Sequence, residues 1–411
     1  MANVNGGKRM AMESLPATAK EKDAGKGRGS LINDPKIRGL FFQIVLIGLV
    51  VAVAYIGISN AVANLRAQNI ASGFGFWDRP AGFAISQTLI DYSPASSYGR
   101  AFFVGLLNTL LVGAVGVVLA TILGFIVGIA RLSPNWLLSR IATAYVDVLR
   151  NIPLLLQLLF WYFAVLKSLP APRQSLDLGL GISLNIRGLF LPRPVFGEGS
   201  GLFDIAVVVA IVAIVGLRTW ARRRQDATGQ QFPVLWTSLA LIIGLPLLAL
   251  AVTGFPVHFD VPRLQGFNFV GGITLIPELV ALILGLVLFT AAFIAEIVRS
   301  GIVAVSKGQS EAAGALGLHT GQTLRLVVVP QAMRVIVPPL TSQYLNLVKN
   351  SSLAVAIGYP DLVAVFAGTV LNQTGQAVEV ITITMLVYLT ISLSTSAFMN
   401  WFNARIALVE R

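Results

Sequence analysis

Residues 311–330 read EAAGALGLHTGQTLRLVVVP. An acid and two alanines open the stretch, Gly317 turns it, and an apolar run closes it at Pro330. From Ile302 to Leu316 the chain is IVAVSKGQSEAAGAL, in which Ala312, Ala313, Ala315 and Leu316 favour helix. Gly317 stands where the residue just past a helix end takes a positive φ, so the spacing predicts a short helix that stops there. Its surface is mostly alanine and glycine, which lets another backbone approach closely, and Glu311 adds a single charge for orientation. Beyond the turn, residues 318–329 lead back to an apolar stretch, and Pro330, Pro338 and Pro339 are expected to fix where the returning helix begins.

The flanks make this a loop of a membrane protein. Of 411 residues, 55% are hydrophobic and 12% charged, with a mean hydropathy of +0.79; soluble domains carry about 25% charged residues. A helix needs about 20 mostly apolar residues to cross a bilayer. Such runs fall at 40–62, 102–130, 152–169, 202–218, 234–253, 277–298, 338–368 and 377–402, which predicts an all-α polytopic protein of about eight spans. Residues 1–38 read as a basic, Gly-rich disordered tail, and 39–63 as a first span too long for the apolar part of a cleaved signal. Residues 170–200 and 254–276, rich in Pro and Gly, read as loops rather than folded domains.

Charge sets the expected orientation. With the N-terminus inside, cytoplasmic segments hold 21 Lys and Arg, external ones hold 8, and Lys349 falls in a span. That bias is the positive-inside pattern, and it puts both termini and the quoted loop on the cytoplasmic side of the membrane. The net charge of +12 is accounted for in this way, without a nucleic-acid partner. With no cysteine in the chain, disulfides, thiolate metal sites and a Cys nucleophile are excluded.

Glu311-Ala312-Ala313, three residues, Gly317, nine residues, then Val327, one residue and Val329-Pro330 resembles the cytoplasmic EAA loop of bacterial ABC-importer permeases. The likeness extends to 291–318, 327–358, 105–135 and YVDVLRNIPLLLQLLFWYF (145–163), all similar to the polar amino-acid (histidine/glutamine/general L-amino-acid) permease subfamily. Arg150-Asn151-Ile152-Pro153-Leu154-Leu155-Leu156-Gln157, with the long chain, is most similar to the general L-amino-acid permeases. Two departures from the subfamily pattern are Asn151-Ile152 for Gly-Thr, and Asn350-Ser351-Ser352 for Asp-Thr-Ser after Lys349.

The resemblance implies a five-helix permease core split between 100–168 and 277–405, with 169–276 an insertion of external loops and two further spans. It implies that the loop 299–337 carries a coupling helix, with Glu311, Ala312, Ala313 and Gly317 meeting a separate ATP-binding ABC subunit. A second homologous permease, a periplasmic amino-acid-binding protein and membrane lipid are the other implied partners. No cofactor is implied.

What the chain lacks points the same way. No G-x-x-x-x-G-K-[ST] phosphate loop occurs, so any ATPase must be another chain, and neither H-E-x-x-H nor G-x-S-x-G is present. His258 and His319 lie in separate loops and read as ordinary loop histidines, while Asp147 and Asp204 read as interface anchors. No catalytic or metal-binding residue is expected. The alternative is an ion-coupled secondary amino-acid transporter, for which intramembrane polar residues are the mark. Lys349, with Ser351 and Ser352, either faces a substrate pathway or extends its charge to the interface; Gln157 either binds a polar ligand or ties helices together.

Overall fold

A computed structural model describes residues 35–67, 72–197, 201–254 and 257–406. It contains two compact units, 1–70 and 71–411. Within the first, helix α1 (Pro35–Ala67) is apolar over Arg38–Asn60 and exposed along that length. Pro35–Arg38, expected in the tail, already belong to this helix; the other 34 residues of that tail lie outside the described residues.

The second unit is built on α2 (Tyr98–Ala130) and α7 (Pro277–Val303), which pack along each other. Small residues make this possible: Gly124 and Gly128, buried on α2, lie against Ala291, Ile294, Ala295 and Val298 of α7. At Gly128 an added Cβ would lie 2.8 Å from the Ala295 carbonyl oxygen, so only glycine permits that spacing. Small-residue packing substitutes for hydrophobic driving force where lipid is as apolar as leucine.

Helix α3 (Trp136–Asn151) ends where Ile152 takes an extended conformation (φ −97°, ψ 127°), as the residue before Pro153 must. The chain then bends by 107° into α4 (Leu154–Leu159), continued by a wide π turn to Val165 and a 3₁₀ turn to Ser168. The expected span 152–169 is therefore the second arm of a bent pair. Among the described residues seven helices are long and apolar enough to cross a membrane, eight if this pair is one span.

The two segments read as loops contain short strands instead. β1 (Leu176–Gly179), β2 (Ile182–Asn185), β3 (Gly188–Leu191) and, after an intervening hairpin, β8 (Ile273–Leu275) form one antiparallel sheet. β4 (Arg193–Phe196) pairs with β5 (Val257–Asp260), and β6 (Arg263–Gln265) with β7 (Asn268–Val270). Between β4 and β5 the chain runs out along α5 (Gly201–Thr228) and back along α6 (Val234–Val252), which pack on each other. Because β4 and β5 are paired, both feet of this hairpin stand at the same end.

After α7 come α8 (Lys307–Ala315), α9 (Thr320–Thr323), a wide π turn Leu324–Val328, α10 (Val329–Asn350) and a 3₁₀ turn Ser351–Ile357. Thr320–Ile357 is one 38-residue span, so the expected span 338–368 begins eighteen residues earlier and ends sooner. Within this span α10 begins at Val329 with Pro330 in its first turn, as expected, whereas Pro338 and Pro339 lie inside the helix and mark no start. Pro330 follows the π turn, whose extra width relieves the clash of a proline ring with the carbonyl four residues back. Gly358, at φ 76°, ends the rod. A second, mostly π-type helix runs from Val363 through α11 (Leu371–Thr374), and α12 (Ala377–Ile406) closes the fold.

Candidate coupling loop and pathway residues

Helix α8 sits between α7 and α9, and its C-terminal end is closed by two crossed backbone bonds. The Leu318 N–H donates to the Ala313 carbonyl at 3.1 Å and the Gly317 N–H to the Gly314 carbonyl at 2.9 Å. This is the Schellman arrangement, and Gly317 supplies its left-handed residue at φ 80°. His319 then caps α9: its Nδ1 accepts from the Gln322 N–H at 3.2 Å while the Gln322 side chain accepts from the His319 N–H at 3.3 Å. The Gln331 amide donates to Gln309 at 3.2 Å, tying α8 to α10. A nine-residue helix is marginal alone, and these ties hold it as a unit.

Of the four residues expected to meet another chain, Glu311, Ala312 and Gly317 are exposed, whereas Ala313 is only 4% exposed. Leu316, 82% exposed at the end of α8, adds a large apolar side chain to this surface. Its only sequence signal was an apolar residue immediately before the turn glycine.

The C-terminal end of α2 is joined to α7 by charge. Glu296 takes a bond from the Arg131 Nη1 and another from the Arg299 Nη2 at 2.6 Å. Arg150 lies over the Phe293 ring, 4.9 Å from its centre, and Tyr145 donates to the Leu288 carbonyl at 2.8 Å, fastening α3 to α7.

The four pathway candidates do not form one polar cluster. Gln157 is buried, and its Nε2 donates to the carbonyls of Leu149 (2.9 Å) and Ile152 (3.0 Å), the carbonyls left open at the α3–α4 bend. Ser351, also buried, donates to the Val348 carbonyl at 2.7 Å, and Ser352 to the Lys349 carbonyl at 2.7 Å. Lys349 is exposed in the last turn of α10, where a cation opposes the helix dipole favourably. Helix α4 does pack on the 351–357 segment, through Leu154, Leu158, Ala354 and Ile357, so the two stretches adjoin through apolar contacts.

Long apolar helices with a short helix set in the loop between two of them define a polytopic membrane protein. The family description "Binding-protein-dependent transport system inner membrane component" matches residues 227–408. The General L-amino acid transport system permease protein AapQ of Rhizobium johnstonii is 56% identical over 382 residues, 93% of this chain and 95% of that protein. The amino-acid ABC transporter permease protein YhdX of Escherichia coli K12 is 56% identical over 94% of this chain and 98% of that protein. BztB of Rhodobacter capsulatus, a glutamate/glutamine/aspartate/asparagine transport system permease protein, is 43% identical over 98% of this chain and 100% of that protein.

The chain belongs to this family of binding-protein-dependent transport system inner membrane components. It is thus an ABC-importer permease subunit rather than an ion-coupled carrier or an enzyme, and ATP hydrolysis falls to a separate subunit. An ATP-binding subunit and a substrate-binding protein follow as partners from the family itself.

Proposed function

We propose that the chain carries amino acids inward as half of a pore completed by a second homologous permease. Residues 100–168 and 277–405 form the shared core, and α1 and the α5–α6 hairpin are additions to it. Both termini and α8 face the cytoplasm, a reading supported by the excess of 21 over 8 basic residues on that side. The amino-acid cargo rests on the similarity to AapQ, YhdX and BztB, which are amino-acid permeases by name.

The observation that carries the coupling role is α8 itself, a short helix held by the Gly317 turn and the Gln309–Gln331 tie. On this reading Glu311, Ala312 and Leu316 present the surface that meets the ATP-binding subunit, and Gly317 aims it. Ala313 acts from beneath, as the packed residue whose carbonyl receives the turn. Gln157 and Ser351 shape the pathway wall by fixing backbone, and Lys349 with Ser352 stands at the end of α10.

The test is reconstitution into vesicles. Uptake of labelled amino acids is expected only when the ATP-binding subunit, a second permease, the binding protein and ATP are all supplied. Accumulation by this chain alone on a proton or sodium gradient would overturn the reading.

A further inference from the structure

At the end of the α5–α6 hairpin remote from the paired strands β4 and β5, the apolar run of α5 gives way to LRTWARRRQ (217–225). Arg218 and Arg222 stand one helical turn apart, so both lie on the same side of α5. With Ala221 and Gln225 they line an open pocket of about 220 Å³, bordered by Phe232 and Val234 from the connecting turn and α6. Ala221, 5% exposed, is its small-residue floor. Arg224 is otherwise occupied, 5.4 Å from the Trp220 ring centre and donating to Gln230 at 3.1 Å. Arg218 and Arg222 are not: among the described residues the three ion pairs join Arg131 and Arg299 to Glu296, and Lys167 to Glu278.

Two guanidinium groups beside one cavity repel each other and call for an anion, which their forked donors suit when it is a phosphate. What lies below the cavity decides which phosphate. The outward faces of α5 and α6 are apolar and exposed through Val208, Ile211, Val212, Val215, Leu247 and Leu248, and Trp220 and Trp236 stand exposed at the arginine level. Tryptophan at that height is the usual marker of a bilayer interface. A phosphate pocket directly above a lipid-facing surface fits an amphiphile, with its head among the arginines and its chains along the hairpin.

We propose that Arg218, Arg222 and Gln225 form a specific headgroup site for an anionic phospholipid, which fastens the inserted hairpin at the membrane surface. The site recognises the phosphate of a headgroup with net negative charge and discriminates against zwitterionic lipids.

The experiment is native mass spectrometry of the purified full-length chain, titrated with phosphatidylglycerol, phosphatidylcholine of the same acyl chains, and inorganic phosphate. Phosphatidylglycerol should be retained at concentrations at least tenfold lower than phosphatidylcholine, and equimolar inorganic phosphate should not displace it. Each arginine is expected to contribute about fivefold, so Arg218→Gln with Arg222→Gln should cost roughly 25-fold and erase the preference. Arg223→Gln removes the same charge from a residue outside the cavity and should leave the preference in place. Both arginines of the pair are exposed, so circular dichroism should show unchanged helix content. Equal retention of the two lipids, displacement by inorganic phosphate, or an equal loss in Arg223→Gln and Arg222→Gln would each overturn the proposal, the last by reducing it to diffuse surface charge.

Discussion

Replacing Gly317 tests whether the turn beyond α8, rather than the sequence of the loop, carries the coupling. Nothing lies within 4 Å of a Cβ built at this position, so a substitution meets no neighbour and its cost is conformational alone. At φ 80° an L-residue is strained by about 1–2 kcal/mol. The two crossed bonds from Leu318 and Gly317 together return on the order of 1–3 kcal/mol, so strain and restraint are of similar size. The population with the turn formed should therefore fall about 5- to 30-fold relative to the frayed form. Asparagine tolerates the left-handed region and should be mildest, alanine intermediate, and β-branched valine the most severe. The assay is binding-protein-stimulated ATPase activity and uptake in vesicles holding the assembled importer, with permease abundance measured in the same membranes. A graded loss in the order Asn, Ala, Val at constant abundance is expected. Normal uptake by Gly317→Val at normal abundance would show that the left-handed turn has no part in coupling, and the role given to α8 would go with it.

Three other outcomes follow from the same geometry. Leu316→Ser should change stability by less than about 0.5 kcal/mol, because the side chain is exposed, yet weaken capture of the ATP-binding subunit by about tenfold or more, the worth of a buried leucine; co-purification yield measures it. Gln157→Leu keeps volume but strands the carbonyls of Leu149 and Ile152 at the bend, costing about 1–3 kcal/mol for each left unsatisfied. The thermal midpoint should drop while the KM of the surviving protein for its cargo stays constant; a changed KM would return Gln157 to the list of ligand contacts. Because the chain has no cysteine, single cysteines at Ser183 and Thr228 can be probed with an impermeant thiol reagent, and they should label from opposite sides of the membrane.

Much of this fold is legible in the sequence because a bilayer demands long apolar runs, and α1, α2, α5, α6, α7 and α12 each supply one. Gly317 is legible for a local reason, since a turn glycine after helix formers has few other uses. The α3–α4 region is legible only in part. Pro153 forces Ile152 into an extended conformation, but the 107° bend depends on Gln157 reaching back to two carbonyls, a contact no spacing rule announces. The start of the long span is hidden for a different reason: proline normally argues for a boundary, and here wide π turns absorb it. The small sheets escape notice because strands of three or four residues are too short for alternation to register, and β3 finds β8 across more than eighty residues. Ala313 shows the limit at the loop, since composition names a small residue there without saying which of its neighbours it faces.

If α8 couples to the ATP-binding subunit as proposed, α10 offers the mechanical route from that loop into the bundle. Thr320–Ile357 is one rod of about 57 Å at 1.5 Å per residue, and it begins three residues after Gly317. Near its start it is held to α8 by Gln331 and Gln309, and its far end packs on α4 through Ala354 and Ile357. A displacement of α8 therefore acts on the same element that lines the segment next to the α3–α4 bend. Midway, Pro338 and Pro339 lack the N–H groups that would close bonds to the Arg334 and Val335 carbonyls, so resistance to bending is lowest there. The restraints around the rod differ along its length. Its first half packs on α7, whose Gly301 sits beside Ile336 and the Ala332 carbonyl, while beyond the prolines it meets α2 through Leu347 and Val348. With α2 and α7 joined by the Arg131–Glu296–Arg299 group, the proposed coupling role predicts that a push on α8 works against a fixed frame and bends the rod at the double proline rather than translating the whole bundle.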